Sequence, residues 1–155
     1  MNRKSLFTVL SLGILIALFV ASCTCCRQGA NASVFGEEPT LKSKASVAEL
    51  NAHPDMYVDK DVYVTGTVVD MCKHAGCWVE IEQADKSRIL CKSIGDVVTF
   101  PQETLGKEIE LQGILMFDPN APGAVEEKHE GEAESHACPQ PVIMVSIKGA
   151  RVKGL

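Results

Sequence analysis

Residues 60–71, KDVYVTGTVVDM, alternate along the chain in a way that limits the fold more than any other feature. A period of two residues is typical of a β-strand that buries one face. Gly66 interrupts the run, at a point where a strand bends sharply or forms a bulge. Four later segments are also predicted to be strands: CWVEIEQ, SRILCKSI, KEIELQGILMFD and PVIMVSIKGARV. The chain is therefore predicted to be all-β, with five strands.

The order of these segments favours a small five-stranded OB-like Greek-key barrel. Glycines lie within the first and fourth strands, and a helical turn that starts at Pro101 is predicted between the third and fourth. OB barrels bind ligands on the face of strands two and three, between the loop joining strands one and two and the loop joining strands four and five. The second of these loops is long and acidic here, residues 118–140. A small antiparallel sandwich of the same strands is the alternative.

A short helix is predicted just before the first strand. Ser46 and Glu49 have the spacing of a capping box, in which the serine accepts a hydrogen bond at the helix N-terminus. The helix should cover residues 47–52 and end before Pro54, because the residue preceding a proline disfavours helical geometry. His53 falls at this exit and is predicted to be a helix-end or surface residue, not a metal ligand.

The N-terminus has the pattern of a bacterial lipoprotein signal peptide, residues 1–22. Arg3 and Lys4 precede an apolar run over residues 6–20, and the sequence VASC follows. This end resembles a lipobox, which implies cleavage before Cys23 and attachment of lipid to its thiol. The alternative is an uncleaved membrane anchor, but about 15 apolar residues are few against the roughly 20 of a spanning helix.

The next segment, residues 23–45, is small and polar and is predicted to be a flexible tether. The OB-like domain is then predicted over residues 46–155. Thr24, in place of aspartate after the lipidated cysteine, indicates the outer membrane, if the cell has one. The predicted location is the bacterial envelope, with the domain anchored by lipid and facing the periplasm.

Charge argues against nucleic acid as a partner. The chain has a net charge of −5, and loss of the signal peptide removes Arg3 and Lys4 but no acidic residue, which changes it to −7. Phosphate contacts from basic residues supply most of the affinity for nucleic acids. Lipid in the membrane is therefore the only predicted partner, and the sequence does not identify a protein partner.

Thiols and imidazoles recur in the two loops that an OB barrel uses for binding. Cys72, His74 and Cys77 lie in the first loop, and His136 and Cys138 lie in the acidic loop. These side chains are ligands for zinc or copper ions. A tetrahedral site of the three cysteines and one of the two histidines is predicted, provided that the loops meet in space. The C-x4-C spacing is looser than the C-x2-C of zinc knuckles.

A structural disulfide is the main alternative for the same cysteines. Cys72 and Cys77 could pair across the loop, or Cys138 could pair with either of them. The periplasm is oxidising, so exposed thiols there tend to form disulfides or to bind metals. A thiol redox role is less favoured, because the chain has no C-x-x-C motif at a helix N-terminus.

Other candidate residues have plainer predictions. Cys91 is predicted to be a buried strand thiol, and Trp78 to be half-exposed beside the first loop. His129 and His136 could each instead be an ordinary solvated residue of the acidic loop, and Cys25 and Cys26 receive no assignment. The chain is predicted not to be an enzyme, because it lacks a Ser-His-Asp arrangement, a phosphate-binding glycine loop and a helical pair of histidines.

Residues 48–81, AELNAHPDMYVDKDVYVTGTVVDMCKHAGCWVEI, resemble a family of uncharacterised bacterial envelope proteins with a domain of unknown function. The motif that carries the resemblance is C-x-x-x-G-C-W, beginning at Cys72. The resemblance covers roughly residues 46–155, and it implies an OB-like fold and an envelope location. It implies no activity, since a fold by itself does not assign one.

The sequence thus predicts an envelope lipoprotein that binds a transition metal through its two loops, for binding, sensing or delivery. The alternative is a non-enzymatic binding or assembly module in which disulfides rigidify the same loops. The two predictions differ in whether the sulfurs bind a cation or each other.

Overall fold

The structure is a computed structural model, and it describes residues 31–95, 97–128 and 134–155. The predicted signal peptide and Cys23, Cys25, Cys26 and His129 lie outside these ranges. No helix within them is long and apolar enough to cross a bilayer. The elements are β1 (Ala32–Gly36), α1 (Val47–Ala52), β2 (Asp61–Met71), β3 (Trp78–Glu82), β4 (Arg88–Lys92), β5 (Glu108–Phe117), β6 (Gly123–Glu127), β7 (His136–Gln140) and β8 (Ile143–Lys153), with single 3-10 turns at Pro54–Met56 and Gln102–Thr104.

Five strands close into a barrel in the order β2, β3, β4, β8 and β5, and β5 pairs back with β2. Neighbours are antiparallel except for β4 and β8, which run parallel. The predicted helical turn follows Pro101, between β4 and β5. This closure is that of a small OB-like barrel and not of a sandwich. The predicted all-β fold is confirmed.

Two glycines allow strands to pass very close to each other. A Cβ atom at Gly66 would lie 2.4 Å from the carbonyl oxygen of Glu82, and one at Gly113 would lie 2.2 Å from that of Ser146. No other residue type fits such an approach. The β2 bulge itself lies further along, between Val68 and Asp70, where the pairing of β2 with β3 shifts register.

The barrel interior is filled by the predicted alternating residues. Cys91 is wholly buried among them and belongs to the core, as predicted. Phe117, which has the same phase, is 36% exposed because it ends β5 at the rim. The largest fully buried side chains are Leu50, Ile81, Ile109, Leu111, Leu115, Val47, Val64, Val68, Val79, Val145, Val152 and Thr104.

The predicted N-terminal helix is present with its predicted ends. The Ser46 hydroxyl accepts a hydrogen bond from the backbone N–H of Glu49 at 3.4 Å. Val47 and Leu50 are buried against the barrel core. His53 follows the helix as an exposed C-cap residue. The helix therefore contributes to the core, and His53 is a surface residue at its end, as predicted.

Part of the predicted flexible tether, residues 23–45, is folded, because residues 32–36 form β1. This strand pairs antiparallel with the last part of β8, from Ala32 opposite Lys153 to Gly36 opposite Gly149. The physical reason is that part of β8 has an edge not covered by β4. The pairing of β4 with β8 ends at Ser146, whereas β8 continues to Lys153. The short segment ASVFG, within an otherwise polar stretch, therefore finds backbone partners on β8.

The segment after β1 is also tied to the barrel. The backbone N–H of Glu37 donates to the carbonyl of Lys148 at 3.0 Å, and that of Ala45 donates to Tyr63 at 2.7 Å. Between them, the side-chain oxygen of Gln112 accepts from the N–H of Thr40 at 2.8 Å. The folded domain therefore includes residues before the predicted boundary at 46.

The acidic loop contains a hairpin that the sequence analysis missed. β6 and β7 pair antiparallel from Gly123 opposite Gln140 to Glu127 opposite His136. They form a separate two-stranded sheet beside the barrel. Charged and small residues on β6 conceal its alternation, so composition indicates a loop.

Candidate functional site

Three cysteines from two distant segments form a small buried cluster apart from the barrel core. Cys72 is 2% exposed, and Cys77 and Cys138 are fully buried. Ala75 and Trp78 pack against this cluster, and Trp78 is half-buried. The first loop (residues 72–77) and the hairpin therefore meet in space, as the barrel prediction requires.

The backbone of the first loop is held on both sides of its cysteines. The N–H of Cys72 donates to the carbonyl of Trp78 at 3.0 Å, and the Gln102 side-chain amide donates to the carbonyl of Cys72 at 2.9 Å. The carbonyl of Cys77 accepts from the N–H of Ser93 at 2.7 Å. Since these partners lie on the barrel and the connection after β4, the two sulfurs are positioned before any ligand binds.

Gly76 sets the turn that aims Cys77 inward. Its φ is +67°, in the left-handed region that favours glycine. Its carbonyl accepts from the N–H of Phe100 at 2.9 Å, and a Cβ atom would lie 2.1 Å from the carbonyl oxygen of Phe100. Only glycine meets both conditions, which explains its place in the motif.

The loop backbone favours a thiolate at Cys72. Burial raises the pKa of the Cys72 thiol, but the backbone N–H groups of His74, Cys77 and Ala75 donate to its sulfur and outweigh burial, so that the pKa is lowered overall. Hydrogen bonds to the charged form of a group stabilise that form. Thiolates are the form of cysteine that binds metals and reacts.

The other two thiols have the opposite tendency. Burial raises the pKa of Cys77, and its interactions with the Cys72 and Cys138 sulfurs raise it further. Burial and the nearby Glu127 carboxylate raise the pKa of Cys138 to about 11, while the Lys92 ammonium partly offsets them. Three negative sulfurs in one buried cluster require a compensating positive charge.

One imidazole lies against this cluster. The Nε2 atom of His136 is 3.9 Å from the Sγ atom of Cys72. Because strand side chains alternate, His136 and Cys138 lie on the same face of β7. The His74 ring stacks on that of His136 with centroids 4.2 Å apart and an angle of 17° between the rings, and His74 itself is exposed. All five predicted site residues are thus brought together, with His136 inside and His74 outside.

Sequence reasoning missed an ion pair that positions the hairpin. The Lys92 ammonium at the end of β4 contacts the Glu127 carboxylate of β6. The Lys92 side chain is only 7% exposed, whereas that of Glu127 is 31% exposed. The sequence around Lys92 gives no sign of this ion pair, because its partner Glu127 is 35 residues away.

Within the described ranges, no group of three or more histidine, cysteine and acidic side chains is arranged so that it could hold a metal ion as it stands. The four cysteines there, Cys72, Cys77, Cys91 and Cys138, are thiols, and no disulfide joins any two of them. Metal ligation and the alternative disulfide therefore both stay predictions. Comparisons find no protein family, curated protein or solved structure that matches this chain.

Proposed function

We propose that this chain is a non-catalytic envelope lipoprotein that binds one transition metal ion, Zn²⁺ or Cu⁺, between its first loop and its hairpin. The observation that carries the proposal is the buried cluster of Cys72, Cys77 and Cys138 with an imidazole beside it. Thiolates and imidazoles are the donors that these ions prefer. The loop amides that favour the Cys72 thiolate supply one ligand in the required form.

We assign the fourth ligand to His136 and not to His74. With Zn–S and Zn–N bonds of about 2.3 and 2.05 Å, two ligands of a tetrahedral site lie about 3.6 Å apart. The observed separation of Cys72 Sγ and His136 Nε2 is 3.9 Å, so a shift of a few tenths of an ångström (about 0.3 Å) suffices. His74 stacks on the outer face of this ring and would orient it, a supporting role that commonly tunes metal sites.

Metal titration of the full-length, detergent-solubilised protein without a histidine tag tests this proposal. We expect one Zn²⁺ or Cu⁺ per chain by elemental analysis, and loss of stoichiometric metal in Cys72→Ser, Cys77→Ser and Cys138→Ser. His136→Ala removes a ligand and should weaken the affinity by more than about 100-fold, which is the upper limit for loss of an outer-shell group.

His53→Ala is the matched control, because His53 is an exposed imidazole at the end of α1. It should bind metal like the wild type. Retained stoichiometric metal in both Cys77→Ser and Cys138→Ser would refute the proposed site.

The location is part of the proposal and rests on the sequence, including the resemblance to an envelope family. Cys23 would carry the lipid, and the domain would face the periplasm from the outer membrane. Cys23→Ala should move the protein from the membrane fraction to the soluble fraction. An unchanged membrane fraction would instead support an uncleaved anchor.

A binding or assembly module with a disulfide is the second candidate. The observation that favours it is the interaction of the Cys77 thiol with the sulfurs of both Cys72 and Cys138. In the oxidising periplasm, an oxidant could join Cys77 to one of them. Intact mass of protein purified from its own envelope separates the two: a deficit of about 2 Da supports the disulfide, whereas full thiol content protected by bound metal supports the metal site.

A further inference from the structure

The β6–β7 hairpin lies beside the barrel as a separate two-stranded sheet. It shares no strand pairing with the barrel, and among the ten residues of its two strands only Cys138 is fully buried. A groove of about 320 Å³ runs between hairpin and barrel, with Glu127 and Gln140 on one side and Lys92, Ile94 and Met144 on the other. Little apolar burial therefore holds the hairpin in place.

The groups that do bridge the groove are polar or belong to the cysteine cluster. Lys92 on β4 pairs with Glu127 on β6. His136 stacks on His74, and Cys138 packs against the first loop. The ion pair and the candidate site thus secure the same element.

We propose that the hairpin is a movable arm, latched to the barrel by the Lys92–Glu127 ion pair and clasped there by the metal ion. The clasp rests on the proposed function, whereas the latch does not. Only β7 supplies Cys138 and His136, so an ion bound to all four ligands would join arm to barrel. By linkage, docking of the arm and binding of the ion favour each other, and loosening the arm weakens metal binding only as far as it lowers the fraction of chains in which the arm is docked.

Hydrogen exchange of the full-length, metal-free protein tests the latch. Glu127→Gln leaves the buried Lys92 ammonium without its counter-charge, which is costly, whereas Lys92→Met leaves a half-exposed carboxylate, which costs less. We expect about tenfold faster amide exchange in residues 123–127 and 136–140 for Glu127→Gln, a smaller increase for Lys92→Met, and unchanged exchange in β3.

Lys128→Gln is the matched control, because Lys128 is an exposed lysine next to Glu127. It should exchange like the wild type. Wild-type exchange of the hairpin in both Glu127→Gln and Lys92→Met would overturn the latch.

Zn²⁺ at saturating concentration tests the clasp. We expect hairpin exchange to slow when Zn²⁺ binds to the wild type, and saturating Zn²⁺ to slow it in Glu127→Gln as well. Stoichiometric Zn²⁺ without slower hairpin exchange would overturn the clasp and leave the proposed function intact. Absence of both Zn²⁺ and Cu⁺ binding in the wild type would refute the proposed function and the clasp together, while the metal-free measurement would still decide the latch.

Discussion

At the scale of single residues, the first loop depends on Gly76. This residue combines a positive φ with an approach to Phe100 that leaves no room for a side chain. Its position directly before Cys77 means that any backbone shift there moves a candidate ligand. The turn therefore links backbone conformation to the geometry of the site.

We predict that Gly76→Ala lowers the free energy of unfolding by about 3 kcal/mol or more, because left-handed strain and a steric clash add together. Gly106→Ala is the control: its φ is +79°, yet no described atom would lie within 4 Å of the new Cβ. It should cost only about 1 kcal/mol. Urea unfolding followed by Trp78 fluorescence measures both, and equal losses would contradict a steric role for Phe100.

At the scale of elements, β1 shows how backbone hydrogen bonding extends a domain into a polar segment. Phe35 packs against the core, with its ring centroid 5.3 Å from that of Phe100. Val34, its neighbour on the opposite face of the strand, is 44% exposed. The inward side chain of Phe35 and five residue pairs with β8 thus hold β1 on the barrel, although composition alone predicts a tether there.

Phe35→Ala should therefore lower the free energy of unfolding by about 2 kcal/mol, since it removes a partly buried aromatic ring from the core. Val34→Ala should change it by less than about 0.5 kcal/mol, as expected of an exposed position. Denaturant midpoints at equal slope give both values. Identical midpoints for Phe35→Ala and the wild type would mean that β1 does not belong to the folded domain.

At the scale of the whole molecule, barrel closure and a docked hairpin bring together sulfurs that lie about sixty residues apart in the chain. Their shared burial has a consequence for pH. Raised pKa values keep Cys77 and Cys138 protonated near neutral pH. A metal ion that binds them must displace both protons.

We predict that the affinity for Zn²⁺ rises as pH rises from about 6 to about 8, with release of about two protons from these cysteines per ion near pH 7. The sign follows from mass action, because protons compete with the metal for the same sulfurs. Calorimetry in buffers with different ionisation enthalpies measures the protons released. An affinity that stays constant over this range would contradict thiolate ligation by Cys77 and Cys138.

Local features of the sequence predicted much of the fold. Alternation, the glycines within strands and the Ser46 cap are short-range signals, and they correctly indicated the barrel strands and α1. The edge that binds β1 and the pairing of Lys92 with Glu127 depend on where other strands end in space. Neither has a local signature, because strand pairing and ion pairing join residues far apart in the chain.

For the site, the sequence alone determined the donor types and, through the predicted barrel, the two loops that carry them. Only the tertiary structure decided that the three sulfurs are buried together, that His136 lies against Cys72, and that His74 stands outside it. The physical reason is that burial and interatomic distance arise from closure of the barrel and docking of the hairpin. Residue identity and spacing along the chain specify neither quantity.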